Sequence, residues 1–259
     1  MKKYLIPILC LVCLIGFVFS CKKTADPFQI SDPGYDYFPL EIGKFIEYEV
    51  DSTVFSLFFD SVFIQTKTLA REEIVDTLRD NTGQLWYKVE RYERPDEASP
   101  WTVRKVFTMS RTEGQAFRME DNLKLMPLVF PVRENKSWNG NIFIDTRQEI
   151  PVRGEPVTLF HQWSSHRMKQ VGEPDTLGGF QFNETLTVSA QNSASNTLEM
   201  RRWTEKYAKG VGLYYRELWM LDTQCENCCD GDFNQCDNLP WTEKAEKGFI
   251  LKQTILNYN

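Results

Sequence analysis

Histidine is scarce in this chain: His161 and His166 are the two in 259 residues. That scarcity excludes a His-rich metal centre, and no HExxH, GxSxG, phosphate-cradling glycine loop or dinucleotide fingerprint occurs either. Residues five apart on a strand point to opposite faces, so the two imidazoles are not expected to hold one ion together. Ser164 and Ser165 lie near them, but closeness along the chain does not build a triad. Clustered cations are missing too. With 30 Lys and Arg against 36 Asp and Glu the net charge is −6, which argues against nucleic acid as a partner. Helical spacing is sustained nowhere for three turns, no internal repeat is present, and no proline-rich break follows Phe38. These absences leave one domain without long helices.

What the chain does hold begins at its N-terminus. Lys2 and Lys3 precede an apolar run from Tyr4 to Phe19, interrupted by Pro7 and shorter than the roughly 20 residues of a spanning helix. This is the anatomy of a cleaved export signal, residues 1–20. Val18-Phe19-Ser20-Cys21 resembles the lipobox of bacterial lipoproteins, with Phe19 where a small residue is usual. The resemblance implies that Cys21 becomes the lipidated N-terminus, since its thiol is the soft nucleophile there. A diacylglycerol plus an amide-linked chain such as palmitate gives the stable anchoring that one chain does not. Lys22 follows the cysteine, so the family's inner-membrane retention signal, an Asp at that place, is not met. The expected location is the cell envelope, lipid-anchored at the outer membrane and facing the periplasm or the cell surface. The membrane is then one partner, and an envelope protein or glycan is a second.

Residues 21–36 carry two Asp-Pro pairs and Gly34 and read as a lipidated tether. Residues 37–259 read as a single β domain. Phe45–Phe55, Gln84–Arg94, Trp101–Arg111, Gly179–Gln191, Gly212–Leu221 and Phe249–Leu256 are rich in β-branched and aromatic residues with a period near two. Asp80-Asn81-Thr82-Gly83 supplies a turn whose fourth residue is the left-handed glycine of a bulged type I hairpin. Thr112-Glu113-Gly114 and Lys209-Gly210-Val211-Gly212 make similar joints. The fold class predicted is all-β: an antiparallel meander of about ten strands, a curved sheet or barrel-like, with a disulfide-stapled loop near the C-terminus.

Tyr37-Phe38-Pro39-Leu40-Glu41-Ile42-Gly43, followed by Phe45-Ile46-Glu47-Tyr48, resembles the YFPL-x-x-G opening of an uncharacterised Bacteroidota-type lipoprotein family. Val129-Phe130-Pro131-Val132 with Trp138-Asn139-Gly140-Asn141, and Tyr207 to Tyr214, resemble the same family. The resemblance implies an all-β lipoprotein and names no active site. Pro39 fixes φ and Gly43 permits a turn, so the opening motif reads as the corner into the first strand.

The cysteines remain. Four of the seven lie in CENCCDGDFNQC: Cys225, Cys228, Cys229 and Cys236. Their spacing makes one zinc knuckle and a poor second, while export into an oxidising space favours two disulfides. A bond between adjacent Cys228 and Cys229 needs a strained ring. Two pairings are therefore preferred and stay open: Cys225–Cys229 with Cys228–Cys236, or Cys225–Cys228 with Cys229–Cys236. Asp230, Asp232 and Asn234 alternate like the first half of a calcium loop, but Gln235 stands where that loop wants glycine. Calcium is the one cofactor the sequence brings into question. Trp101, Trp138 and Trp163 are candidates for stacking on a sugar, with core packing as the competing role. The function expected is a non-enzymatic binding or structural module of the envelope. Its rivals are a carrier for a lipid or other apolar ligand and a secreted hydrolase using paired carboxylates.

Overall fold

The structure is a computed structural model, and it describes residues 32–57, 63–161, 165–191 and 197–259. The export signal, Cys21, most of the tether and Trp163 lie outside the described residues. The strands are β1 (Phe45–Phe55), β2 (Phe63–Arg79), β3 (Leu85–Arg94), β4 (Thr102–Arg111), β5 (Gln115–Glu120), β6 (Leu123–Val129) and β7 (Ser137–Trp138). They continue as β8 (Ile150–Val152), β9 (Glu155–Val157), β10 (His166–Leu177), β11 (Phe180–Gln191), β12 (Glu199–Ala208), β13 (Gly212–Asp222) and β14 (Lys247–Tyr258). Twelve of them form one antiparallel sheet in the order β6-β5-β4-β3-β2-β1-β14-β13-β12-β11-β10-β7, and β8 with β9 makes a separate ribbon. Two meanders thus meet where the first strand pairs with the last, Ile46 lying opposite Tyr258 and Phe55 opposite Gly248.

The two edge strands of this sheet, β6 and β7, approach each other. Met126 N–H donates to Gly140 O at 3.0 Å, and the Trp138 indole N–H donates to Met126 O at 2.8 Å. Gly140 N–H in turn donates to His166 Nδ1 at 3.1 Å. A Cβ at Gly140 would fall 2.4 Å from the His166 ring, so the seam requires glycine there. The sheet is therefore a nearly closed barrel, which satisfies backbone groups that an open edge would expose.

The strand readings hold closely for β1, β3, β4, β11, β13 and β14. At the predicted turn Gly83 has φ 83°, and its N–H donates to Asp80 O at 2.9 Å. The count of about ten strands becomes twelve in the main sheet. The folded body also begins earlier than the tether reading placed it. Asp32 pairs with Lys209 at 2.8 Å, Val132 N–H donates to Pro33 O at 3.0 Å, and Gly210 N–H donates to Asp36 O at 2.8 Å. Residues 32–36 thus belong to the body, which spans Asp32–Asn259 as one compact unit.

These contacts explain the motifs behind the family resemblance. A 3-10 turn at Tyr35–Tyr37 places Tyr35 edge-on to Phe130 at 4.9 Å and buries Tyr37. Tyr37, Phe38, Val129, Phe130, Tyr207 and Leu213 share one buried cluster. Three segments distant in sequence therefore plug one end of the barrel.

Between β13 and β14, where a disulfide-stapled loop was expected, the chain makes three short helical turns, α1 (Glu226–Cys229), α2 (Phe233–Asp237) and α3 (Trp241–Lys244). Cys225 is bonded to Cys236, with Cα atoms 5.9 Å apart. This corrects both preferred pairings, each of which joined Cys225 and Cys236 to other partners. The reason is the reversal through α1 and α2, which brings the ends of the loop together and packs buried Cys225, Cys229 and Cys236 with Leu198 and Leu239. The side chain of Cys228 lies outside the described residues.

Candidate functional site

The inside of the barrel is not uniformly apolar. Glu72 on β2 faces Arg91 on β3 at 2.9 Å and Arg118 on β5 at 3.0 Å. Arg118 also holds Glu120 at 2.7 Å and lays its guanidinium over the Phe107 ring at 3.7 Å. Lys105 on β4 completes this side by reaching Glu120 at 2.8 Å. On the facing wall, Arg216 of β13 donates through Nε to Glu205 Oε1 of β12 at 2.7 Å, and Tyr207 O–H donates to Glu205 Oε2 at 2.5 Å. The walls are tied together. Arg91 donates to Gln253 Oε1 at 3.2 Å although β3 and β14 are separated in the sheet by β2 and β1.

Burial on this scale would leave single charges in water-poor surroundings, so each is matched. Burial pushes the Glu72 carboxyl up, and the charges of Arg118 and Arg91 overcome it, bringing it down to about 2. Glu120 is lowered in the same way by Arg118 and Lys105. Tyr48, whose O–H donates to Leu213 O at 2.7 Å, is pushed up by burial and by Glu72. Glu72 and Glu120 are thus held ionised across neutral pH, in a charged waist.

The waist divides the interior. On the plugged side is a small cavity of about 70 Å³ bounded by Phe38, Ile46, Ile74 and Leu213 together with Arg118 and Arg216. On the other side is a chamber of about 230 Å³ walled by Leu123, Leu125, Leu159, Leu218, Met220 and Phe249. Arg216 borders both. Glu120 and Asp121 stand at the edge of the larger chamber, each held by Lys105, at 2.8 Å and 2.6 Å. The chamber is thus an apolar space with one cation at its inner end.

Among the described residues, those singled out from sequence do not line this chamber. Trp101 sits under Arg94, whose guanidinium carbon lies 4.2 Å from the ring centroid. Trp138 stands in the barrel seam beside His166, at 5.6 Å between centroids. Asp232 caps α2, accepting from Asn234 N–H at 3.0 Å and Gln235 N–H at 3.4 Å. Asp230 is the left-handed residue ending α1. Among the described residues no group of three His, Cys, Asp or Glu side chains is placed to hold a metal ion. Within the D-x-D-x-N alternation, Asp232 caps a helical turn.

The histidines do not share a strand as expected. His166 opens β10 and is buried between Trp138 and Trp203, whereas His161 precedes the strand. His161 Nδ1 lies 2.8 Å from Glu199 Oε2. Both border a second, polar cleft of about 280 Å³ with Glu149, Asp222, Gln224 and Lys247. Glu199 and Asp222 are directly opposite across β12 and β13, and Asp222 is opposite Lys247 on β14. Asp222 is also bound at 2.6 Å by the fully buried Arg201. No local pattern marks this row, because its members lie far apart along the chain.

No protein-family model matches this chain, and no curated protein matches its sequence. Among solved structures, it is similar to a protein assigned as a lipoprotein from Parabacteroides distasonis ATCC 8503, with 8% identity and a TM-score of 0.37 over 86% of this chain and 98% of the other. It is similar to an exported protein with a YmcC-like fold from Bacteroides fragilis NCTC 9343, with 9% identity and a TM-score of 0.36 over the same shares, 86% and 98%. A mutant porin of Rh. blastica aligns with 8% identity and a TM-score of 0.20 over 69% of this chain and 68% of the porin. Likeness of this degree carries no statement of activity or location.

Proposed function

We propose that this chain is a lipid-anchored protein of the cell envelope, held at the outer membrane through Cys21, whose barrel shelters an apolar ligand without turning it over. The carrier role rests on one observation: the apolar chamber of about 230 Å³ above the charged waist. Cavities lined by Leu, Met and Phe stay dry and accept apolar guests, because water finds no partners there. The anchoring rests on the lipobox-like run ending at Cys21.

Titrating the full chain with an apolar dye that fluoresces only out of water tests the carrier role. Saturable binding of one dye per chain is expected, with at least a tenfold loss of affinity in Leu218→Arg, which puts a cation into the chamber wall. Dye binding that is absent, or equal in the variant, removes the reading. For the anchor, labelled palmitate is expected on the chain in cells and none on Cys21→Ala.

A second reading is favoured by the polar cleft. Paired carboxylates on neighbouring strands, Glu199 and Asp222, beside His161, supply the residue types that acid–base hydrolysis uses. Turnover of glycoside or ester substrates that falls a hundredfold or more in Glu199→Gln supports it. No turnover by the folded chain sets it aside.

A further inference from the structure

Resting on the carrier reading, we propose that the ligand of the apolar chamber is a single-chain amphiphile with an anionic head, a long-chain monocarboxylate, seated with its carboxylate on Arg216. Three features of the chamber lead to this chemistry.

The first is polarity. The walls are Leu, Met, Phe and Trp203, Glu120 and Asp121 stand at the edge, and the cation at the inner end is Arg216. A ligand filling this space must be apolar along most of its length and able to accept hydrogen bonds at one end.

The second is spare donor capacity. A guanidinium carries five N–H groups. Among the described residues the hydrogen bonds and ion pair of Arg216 go to Glu205 Oε1, from Nε and from Nη2, both at 2.7 Å. Nη1 is left for the cavities that Arg216 borders. Glu205 does not offer a better use for it, since its other oxygen already accepts from Tyr207. The acids at the chamber edge take their ion pairs from other cations. Glu120 is taken by Arg118 and Lys105, and Asp121 by Lys105. A carboxylate arriving along the apolar wall therefore meets a cation with donors to offer, in a setting where a charge-assisted hydrogen bond is strong.

The third is size. About 230 Å³ is smaller than the roughly 300–1,000 Å³ of sites that take drug-sized molecules. One slim chain, part of it reaching past Glu120 and Asp121 to solvent, fits such a space better than a fused-ring compound or a two-chain lipid. The waist beneath Arg216, from Glu72 to Arg91 and Arg118, stops the chain from going deeper.

The test compares three probes of equal chain length on the full chain, held in a fluorinated surfactant whose tails do not mix with hydrocarbon. The probes are hexadecanoate, hexadecanol and hexadecyltrimethylammonium, measured by calorimetry at pH 8. Hexadecanoate is expected to bind at least tenfold more tightly than hexadecanol, and the ammonium weakest. In the paired variant Arg216→Met with Glu205→Gln, which removes the cation together with its counter-charge, the preference for the acid over the alcohol is expected to be lost. Equal binding of acid and alcohol by the unaltered chain overturns the head-group assignment and leaves the chamber reading standing, as does a preference for the ammonium. Binding of none of the three removes the chamber reading itself.

Discussion

At the scale of single residues, the interior charges decide how the protein responds to acid. Glu72 is held at about 2, against an ordinary value of 4.5. Because the folded value is the lower one, the unfolded chain binds the proton first as pH falls. The stability Glu72 contributes is complete above about 4.5 and drains away as pH drops toward 2. Glu120 acts in the same direction. Urea midpoints are therefore expected to be flat from neutral pH to about 4.5 and to fall below it. In Glu72→Gln that acid limb should be shallower. The same variant should be less stable at neutral pH by about 3–5 kcal/mol, since Arg118 and Arg91 lose the charge they bury against. A second residue-scale test is Tyr48→Phe, which removes the buried donor to Leu213 O. A loss of about 1–3 kcal/mol is expected in the same measurement, because the carbonyl stays buried without that partner.

At the scale of elements, the same charges explain which strands were readable. β1, β13 and β14 show enough aromatic and β-branched residues to announce themselves. β2 does not, because its inward positions run Ala70, Glu72 and Ile74, and Glu72 breaks the apolar alternation from which a strand is recognised. That glutamate is inward only because Arg91 and Arg118 come from other strands to meet it, which no local pattern records. β10 was obscured differently. Its pairing with β11 shifts register between Lys169 and Glu173 and again between Glu173 and Asp175, so a period of two is interrupted. The Asp80 turn was legible because its chemistry is local: the Asp80 carboxylate accepts from Thr82, Gln84 and Trp86 within seven residues. The disulfide was misread for the opposite reason, since strain in adjacent cysteines says nothing about how far a helical reversal brings Cys225 to Cys236. That reversal also yields a prediction. Cys225→Ser should lower stability by about 2–3 kcal/mol through loss of a short cross-link. Its effect on dye binding should be small, because the chamber wall is built by other elements.

At the scale of the whole body, closure comes from pairing the first strand with the last and from the Trp138–Met126 seam. The plug of Tyr37, Phe38 and Phe130 fills one end and the waist fills the middle, and beyond the waist lies a roomy apolar space with Arg216 at its base. The fold class and the plug motifs were visible in the sequence as aromatic, proline and glycine placement. The chamber was not, because its walls come from β5, β6, β12, β13, β14 and the segment after β9. The most direct test of the account is native mass spectrometry of the full chain after mild extraction, with Leu218→Glu, which puts an anion into the chamber wall, alongside. The account predicts a single long-chain adduct on the unaltered protein that is lost in the variant. A bare chain in both, or an adduct that persists in Leu218→Glu, would contradict it.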